Sequence, residues 1–258
     1  MRGLIANPWR PALAATKGSC SMKNDLLYQS TDYTCAPTTM VNALRYLYDR
    51  DEIRPDVLWE IFRGTLDMYG SDGRFGGEGT SPDAMLGLAA TLNMYGNSGR
   101  FPIHVRLLRG EDALAGSTNG MLRREMDDAA ADVPGQASTQ SSISLSRAGN
   151  AVGHGDAAQA TPHAVGVARI WSNRMNGHYA LVTGFGELPD GRAAVCVFDP
   201  FKDSAVDGDH VRRIDGKPAR ANRIIDAETF DSGERVPYAL VNDRYGRRVI
   251  IIARGESA

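Results

Sequence analysis

The chain has 258 residues, 42% of them hydrophobic, and a formal net charge of −2. That length and apolar content support a substantial core. The near-neutral balance predicts no electrostatic grip on nucleic acid or an anionic membrane, and no apolar run reaches the roughly 18 residues of a membrane span.

The opening stretch "MRGLIANPWRPALAATKGSC" does not read as a signal peptide, because Asn7, Pro8, Trp9, Arg10 and Pro11 interrupt its apolar run. Further on, Met40, Val41, Leu44, Leu47 and Tyr48 fall on one helical stripe, with Pro37 placed where a first-turn proline is tolerated. A second helix is predicted over Asp56 to Met68, with Val57, Leu58, Ile61, Phe62 and Leu66 on one face and Gly70 as its stop. "SDGRFGGEGTSP" reads as a loop. Its glycines have neither a preceding strand nor a following Lys-Ser/Thr, so it is no phosphate loop. Ser81-Pro82-Asp83 then starts a third helix with apolar Met85, Leu88, Ala89 and Leu92, ended by Gly96.

Ile103, Val105 and Leu107 alternate with His104 and Arg106, which predicts a short strand. Glu111 to Ala130 reads as a helix. Residues 131–162 have no aromatic side chain and are charged only at Asp132, Arg147 and Asp156. Such a segment buries too little apolar surface to offset its ordering entropy, so we expect a mobile insertion within a domain. Strands are predicted at Ala164 to Ile170, His178 to Phe185 and Ala193 to Phe198, the last two joined by a turn with Gly191. "YALVNDRYGRRVIIIAR" suggests a hairpin around Asn242 to Gly246. Helices first and antiparallel strands second make an α+β order, taken as one domain over residues 1–258.

Cys20, Cys35 and Cys196 cannot all pair. The count argues against a disulfide framework and fits a reducing, cytoplasmic compartment, with export independent of a signal peptide as the alternative. Cys20 and Cys196 read as filler residues. Cys35 sits at the first turn of its helix, where backbone N–H groups and the dipole favour an anion. A thiol attacks as thiolate, so a base is required. Among the histidines, His104 alternates outward on its strand, while His154 and His163 lie in or beside the insertion. His178 opens an apolar strand, and Asp199 ends the next one. A tight turn between those strands places the start of one beside the end of the other, so Asp199 can orient the imidazole. Gln29, just upstream of Cys35, can donate to a developing oxyanion together with the Cys35 N–H. No His/Cys/Asp cluster has zinc spacing, and neither metal nor cofactor is expected. "VRRIDGKPARANR" reads as a solvated basic face.

"YQSTDYTCAPTTMVNALRYL", "GHYALVTGF" and "VFDPF" together resemble the papain-like cysteine peptidases, and within them the bacterial double-glycine leader peptidases. Those carry a Gln, then Cys-Gly-Pro opening a helix, His-Tyr heading a strand, and Asp-Pro ending the next. Gln29, Cys35, His178 and Asp199 match residue by residue, while Ala36 stands where that family has glycine. The resemblance implies a papain-like fold, a helical half carrying the cysteine, a sheet half carrying His and Asp, and peptide hydrolysis, often after Gly-Gly. The expected partner is a protein or peptide substrate. A papain-like acyltransferase or deamidase shares the acyl-enzyme half of this chemistry. A secreted toxin or effector protease is a further alternative, with an inhibitor or immunity protein as partner, and an inactive binding module is the last.

Overall fold

The computed structural model describes residues 24–116, 120–131, 164–173, 176–188, 190–202, 210–214 and 220–255. Cys20, His154, His163 and the predicted insertion beyond residue 131 lie outside the described residues.

Three helices come first: α1 (Cys35–Leu47), α2 (Pro55–Arg63) and α3 (Pro82–Asn97). Strand β1 (Ile103–Arg109) and a 3₁₀ turn (Gly110–Ala113) lead to α4 (Leu122–Ala131). Then follow β2 (Ala164–Trp171), β3 (Gly177–Glu187), β4 (Ala193–Phe198), β5 (Val211–Arg213), β6 (Arg223–Asp226), α5 (Ala227–Asp231) and β7 (Arg248–Arg254). Among the described residues the strands form one seven-stranded sheet in the order β1-β7-β2-β3-β4-β6-β5. Each neighbouring pair is antiparallel. The class is α+β, as the order of elements predicts.

Period-2 alternation sends each strand's side chains to two different cores. Val165, Val167, Tyr179, Leu181, Ile250 and Ile252 join the core under α1, α2 and α3. Ala168, Ile170, Ala180, Val182, Val249 and Ile251 join a second core with Leu122 of α4 and Phe230 of α5. The run "VIIIA" in β7 is therefore apolar throughout because both of its faces are covered. Each such Ile or Val contributes about 1.5–3 kcal/mol by leaving water. The helices are thus split over both faces of the sheet rather than gathered in one half, and the half carrying Cys35 is the α1–α3 side.

Helix α1 buries the predicted stripe: Met40, Leu44 and Leu47 are fully inaccessible. Its inward-facing Asn42 exchanges two hydrogen bonds with the backbone of Leu27, at 2.7 and 2.9 Å, and so straps the segment before the helix along its flank. Helix α3 starts as read, with the Ser81 hydroxyl accepting from the Ala84 N–H and Pro82 in the first turn.

Five expectations need correction. Helix α2 ends at Arg63 rather than Met68: the Leu66 N–H turns to the Thr80 hydroxyl, and Leu66 itself is left-handed at φ 58°. Phe62, predicted inward, is exposed. The helix predicted over Glu111 to Ala130 begins only at Leu122, after the 3₁₀ turn and an irregular stretch. No hairpin forms around Asn242 to Gly246. Residues 238–241 instead bond the end of β2, through Tyr238 N–H to the Trp171 carbonyl and Val241 N–H to the Arg169 carbonyl. Strand β7, freed from them, enters the sheet between β1 and β2. The basic stretch is not wholly a solvated face: Arg212 and Arg213 are exposed, but Asn222 and Arg223 are buried.

Candidate active site

Cys35 is the first residue of α1. No acidic side chain shares that first turn, so nothing there competes with a thiolate for the helix's N–H groups and positive dipole end. One turn on, Thr39 presents the same face. Its buried hydroxyl donates to the Tyr179 carbonyl at 2.9 Å, which fixes the register of α1 against the start of β3. Cys35 thereby meets His178, the residue before Tyr179.

The turn after β3 does what its sequence predicts. The Leu188 N–H bonds the Arg192 carbonyl at 2.8 Å, and Gly191 takes φ 86°, a left-handed value that a glycine reaches without strain. With Leu181 opposite Phe198, the end of β4 lies beside the start of β3. His178 Nε2 is 2.7 Å from Asp199 Oδ1. The ring's other nitrogen is left for Cys35, with which the imidazole shares a hydrogen bond. Thiol, imidazole and carboxylate form one chain, with all three side chains nearly inaccessible.

Their electrostatics are coupled. Burial alone would raise the Cys35 thiol. The charge and hydrogen bond of His178, joined by the N–H groups of Tyr179 and Ala36, outweigh it and lower the pKa. Burial also opposes a charged His178, but the Asp199 carboxylate and the Cys35 thiolate raise the ring to about 10. The pairing thus shifts both groups toward the thiolate–imidazolium form.

No family model matches this sequence, and no curated protein gives a significant match.

Asp199 is held by residues that sequence reasoning did not single out. Its Oδ1 accepts from the Phe201 N–H and its Oδ2 from the Tyr238 hydroxyl, both at 2.8 Å. The Asn222 carboxamide brackets its backbone, accepting from the Asp199 N–H and donating to the Asp199 carbonyl, again at 2.8 Å. Behind Tyr238 the buried Arg223 donates from Nε to the same hydroxyl at 3.1 Å. These contacts leave the carboxylate one orientation, with Oδ1 toward the imidazole. Tyr238→Phe removes a hydroxyl shared by two charged groups and is expected to lower stability by about 1–3 kcal/mol, measured by urea unfolding.

Gln29 also comes to this neighbourhood. Its N–H bonds the Pro200 carbonyl at 2.9 Å, beside Asp199. The side-chain amide donates one hydrogen to the Thr31 carbonyl at 2.7 Å. Among the described residues its Oε1 is buried without a hydrogen-bond partner. The carboxamide orientation follows from that first bond, since a flip would set two carbonyl oxygens against each other. One N–H of the amide remains for another acceptor.

Cys196, read as filler, is buried in β4, and His104 is exposed as its strand alternation predicts. Among the described residues no group of His, Cys, Asp and Glu is arranged to hold a metal ion, and no helix is long and apolar enough to cross a membrane.

Proposed function

We propose that this protein is a cysteine peptidase of papain-like fold, using Cys35 as nucleophile, His178 as base and acid, and Asp199 as the group that orients the ring. The observation that carries this reading is the continuous Cys35–His178–Asp199 chain at the mouth of α1.

In this mechanism the Cys35 thiolate adds to a peptide carbonyl carbon, and the π electrons move onto oxygen. The Cys35 backbone N–H and the remaining Gln29 N–H donate to that oxyanion; each such donor supplies about 2.7–4 kcal/mol in comparable sites. As the C–N bond breaks, the His178 imidazolium gives its proton to the departing amine. Water then attacks the thioester while neutral His178 takes a proton from it. Collapse releases the acid and restores the thiolate–imidazolium pair. Activity is expected to fall as pH drops through the lowered Cys35 pKa, and again as pH rises past about 10, where His178 loses the proton the leaving amine needs.

The test compares all protein N-termini in cells expressing the native chain with those expressing Cys35→Ala. New N-termini that appear only with Cys35 present are the expected result, and they spell out the sequence cut. Identical sets would refute the reading.

A further inference from the structure

A hollow opens on the α1–α3 side of the sheet. Pro82 and Met85 of α3 and Ile250 of β7 form its apolar wall, and Tyr179, Arg169 and Arg248 also line it. It lies next to the reacting groups. Tyr179 follows His178 in sequence, and its N–H is among the donors to Cys35. Arg169 stands opposite Tyr179 in the sheet register. Its guanidinium covers Gly177, where an added Cβ would stand 2.6 Å from Nε. Tyr179 thus both lines the hollow and bonds Cys35 through its N–H.

The cationic side of this hollow is under-matched. Arg169 donates to Asp243 at 2.8 Å. Asp67, the other carboxylate acting on Tyr179, is engaged by the N–H and hydroxyl of Ser81. Arg248 lies over the Tyr245 ring. Among the described residues its Nε and Nη1 are buried and have no hydrogen-bond acceptor. Buried donors without acceptors are costly, and a guanidinium N–H gives a carboxylate oxygen a charge-assisted hydrogen bond.

We propose that this hollow is a substrate subsite that takes a carboxylate, with Arg248 as its ligand and the apolar wall covering the methylene stem of an acidic side chain. The proposal rests on the peptidase reading for its meaning, but its chemistry is binding and is tested as binding. A peptide's C-terminal carboxylate offers the same two oxygens, so the experiment separates the two sources.

The probes are pentapeptides in which each position in turn is Glu, Gln or Lys, every one made as a C-terminal acid and as an amide. Binding is measured by calorimetry to the full chain carrying Cys35→Ala, which cannot consume them. At one position Glu is expected to bind about tenfold tighter than Gln, the size of one charge-assisted hydrogen bond. Adding Arg248→Gln should erase that difference, and Arg248→Glu should turn the preference toward Lys. Acid-over-amide preference that vanishes with Arg248→Gln assigns the site to a chain terminus instead. Equal binding of all forms, no binding at all, or a charge preference that survives Arg248→Gln overturns the proposal. Cleavage of the same peptides by the native chain is scored separately. Arg248-dependent binding without cleavage keeps the subsite and removes the peptidase reading, and cleavage without charge preference does the reverse.

Discussion

Near neutral pH, iodoacetamide is expected to alkylate Cys35 in the folded protein faster than Cys196. Both thiols are largely buried, so exposure does not separate them. Their surroundings do. Burial in β4 pushes Cys196 up to about 11. His178, Tyr179 and Ala36 hold Cys35 below its ordinary value against the same penalty. His178→Ala removes the charge and one hydrogen bond, leaving burial to dominate, so the Cys35 pKa rises and its thiolate fraction falls. The rate falls less steeply than that fraction, because a thiolate of higher pKa is the better nucleophile. A tenfold loss of thiolate costs only about threefold in rate, and the net slowing is expected to be about 10- to 100-fold. Mass spectrometry of the labelled chain reads both cysteines at once. Labelling of Cys35 that is unchanged by His178→Ala would remove the activated-thiol argument, whatever the substrate.

Gly96→Ala is expected to prevent stable folding. An added Cβ would lie 1.9 Å from the Ile103 carbonyl oxygen. That oxygen belongs to the backbone, so no rotamer relieves the clash. The last turn of α3 would have to lift away from β1, although Leu92 and Ile103 on either side are fully buried. Destabilisation of more than about 4 kcal/mol is expected, most of the margin of an ordinary domain. Gly87 in the same helix is the control. Nothing lies within 4 Å of its added Cβ, and it is exposed. Gly87→Ala should therefore stabilise the chain by roughly 0.5–1 kcal/mol through helix propensity. Urea unfolding of the two variants, soluble yield included, checks both signs.

Gly96 also marks where the sequence stopped speaking. As a stop signal it predicts a helix end, and α3 does end at Asn97. Its stronger constraint is a strand packed against it, which no local pattern announces. The same division runs through the rest of the fold. The α1 stripe, the Ser81 start of α3 and the strands carrying His178 and Asp199 were legible because each is local: a period, a cap, a turn. Residues 238–241 form an apolar run like a buried strand, but their backbone groups are claimed by the end of β2, and an apolar run does not say who the partner is. Arg223, Asn222 and Tyr238 carried no signal. An arginine in a basic stretch resembles surface until a buried tyrosine hydroxyl is found against it. Gln29 was placed by its position before Cys35, yet the strap from Asn42 that holds its segment depends on side-chain contacts that spacing does not encode.

Strand β7 has a further consequence, one of timing. It is last of the strands in sequence but lies between β1 and β2, and α1 leans on β2, β3 and β7 together. A nascent chain that has emerged only through β6 has a gap in its sheet, with the apolar edges of β1 and β2 facing each other across it. The shelf beneath Cys35 is incomplete until Val249 to Ala253 slot in. Closing that gap joins residues far apart in sequence, a slow kind of step. A ribosome-bound fragment is thus expected to carry α1 on an incomplete sheet until the last strand emerges.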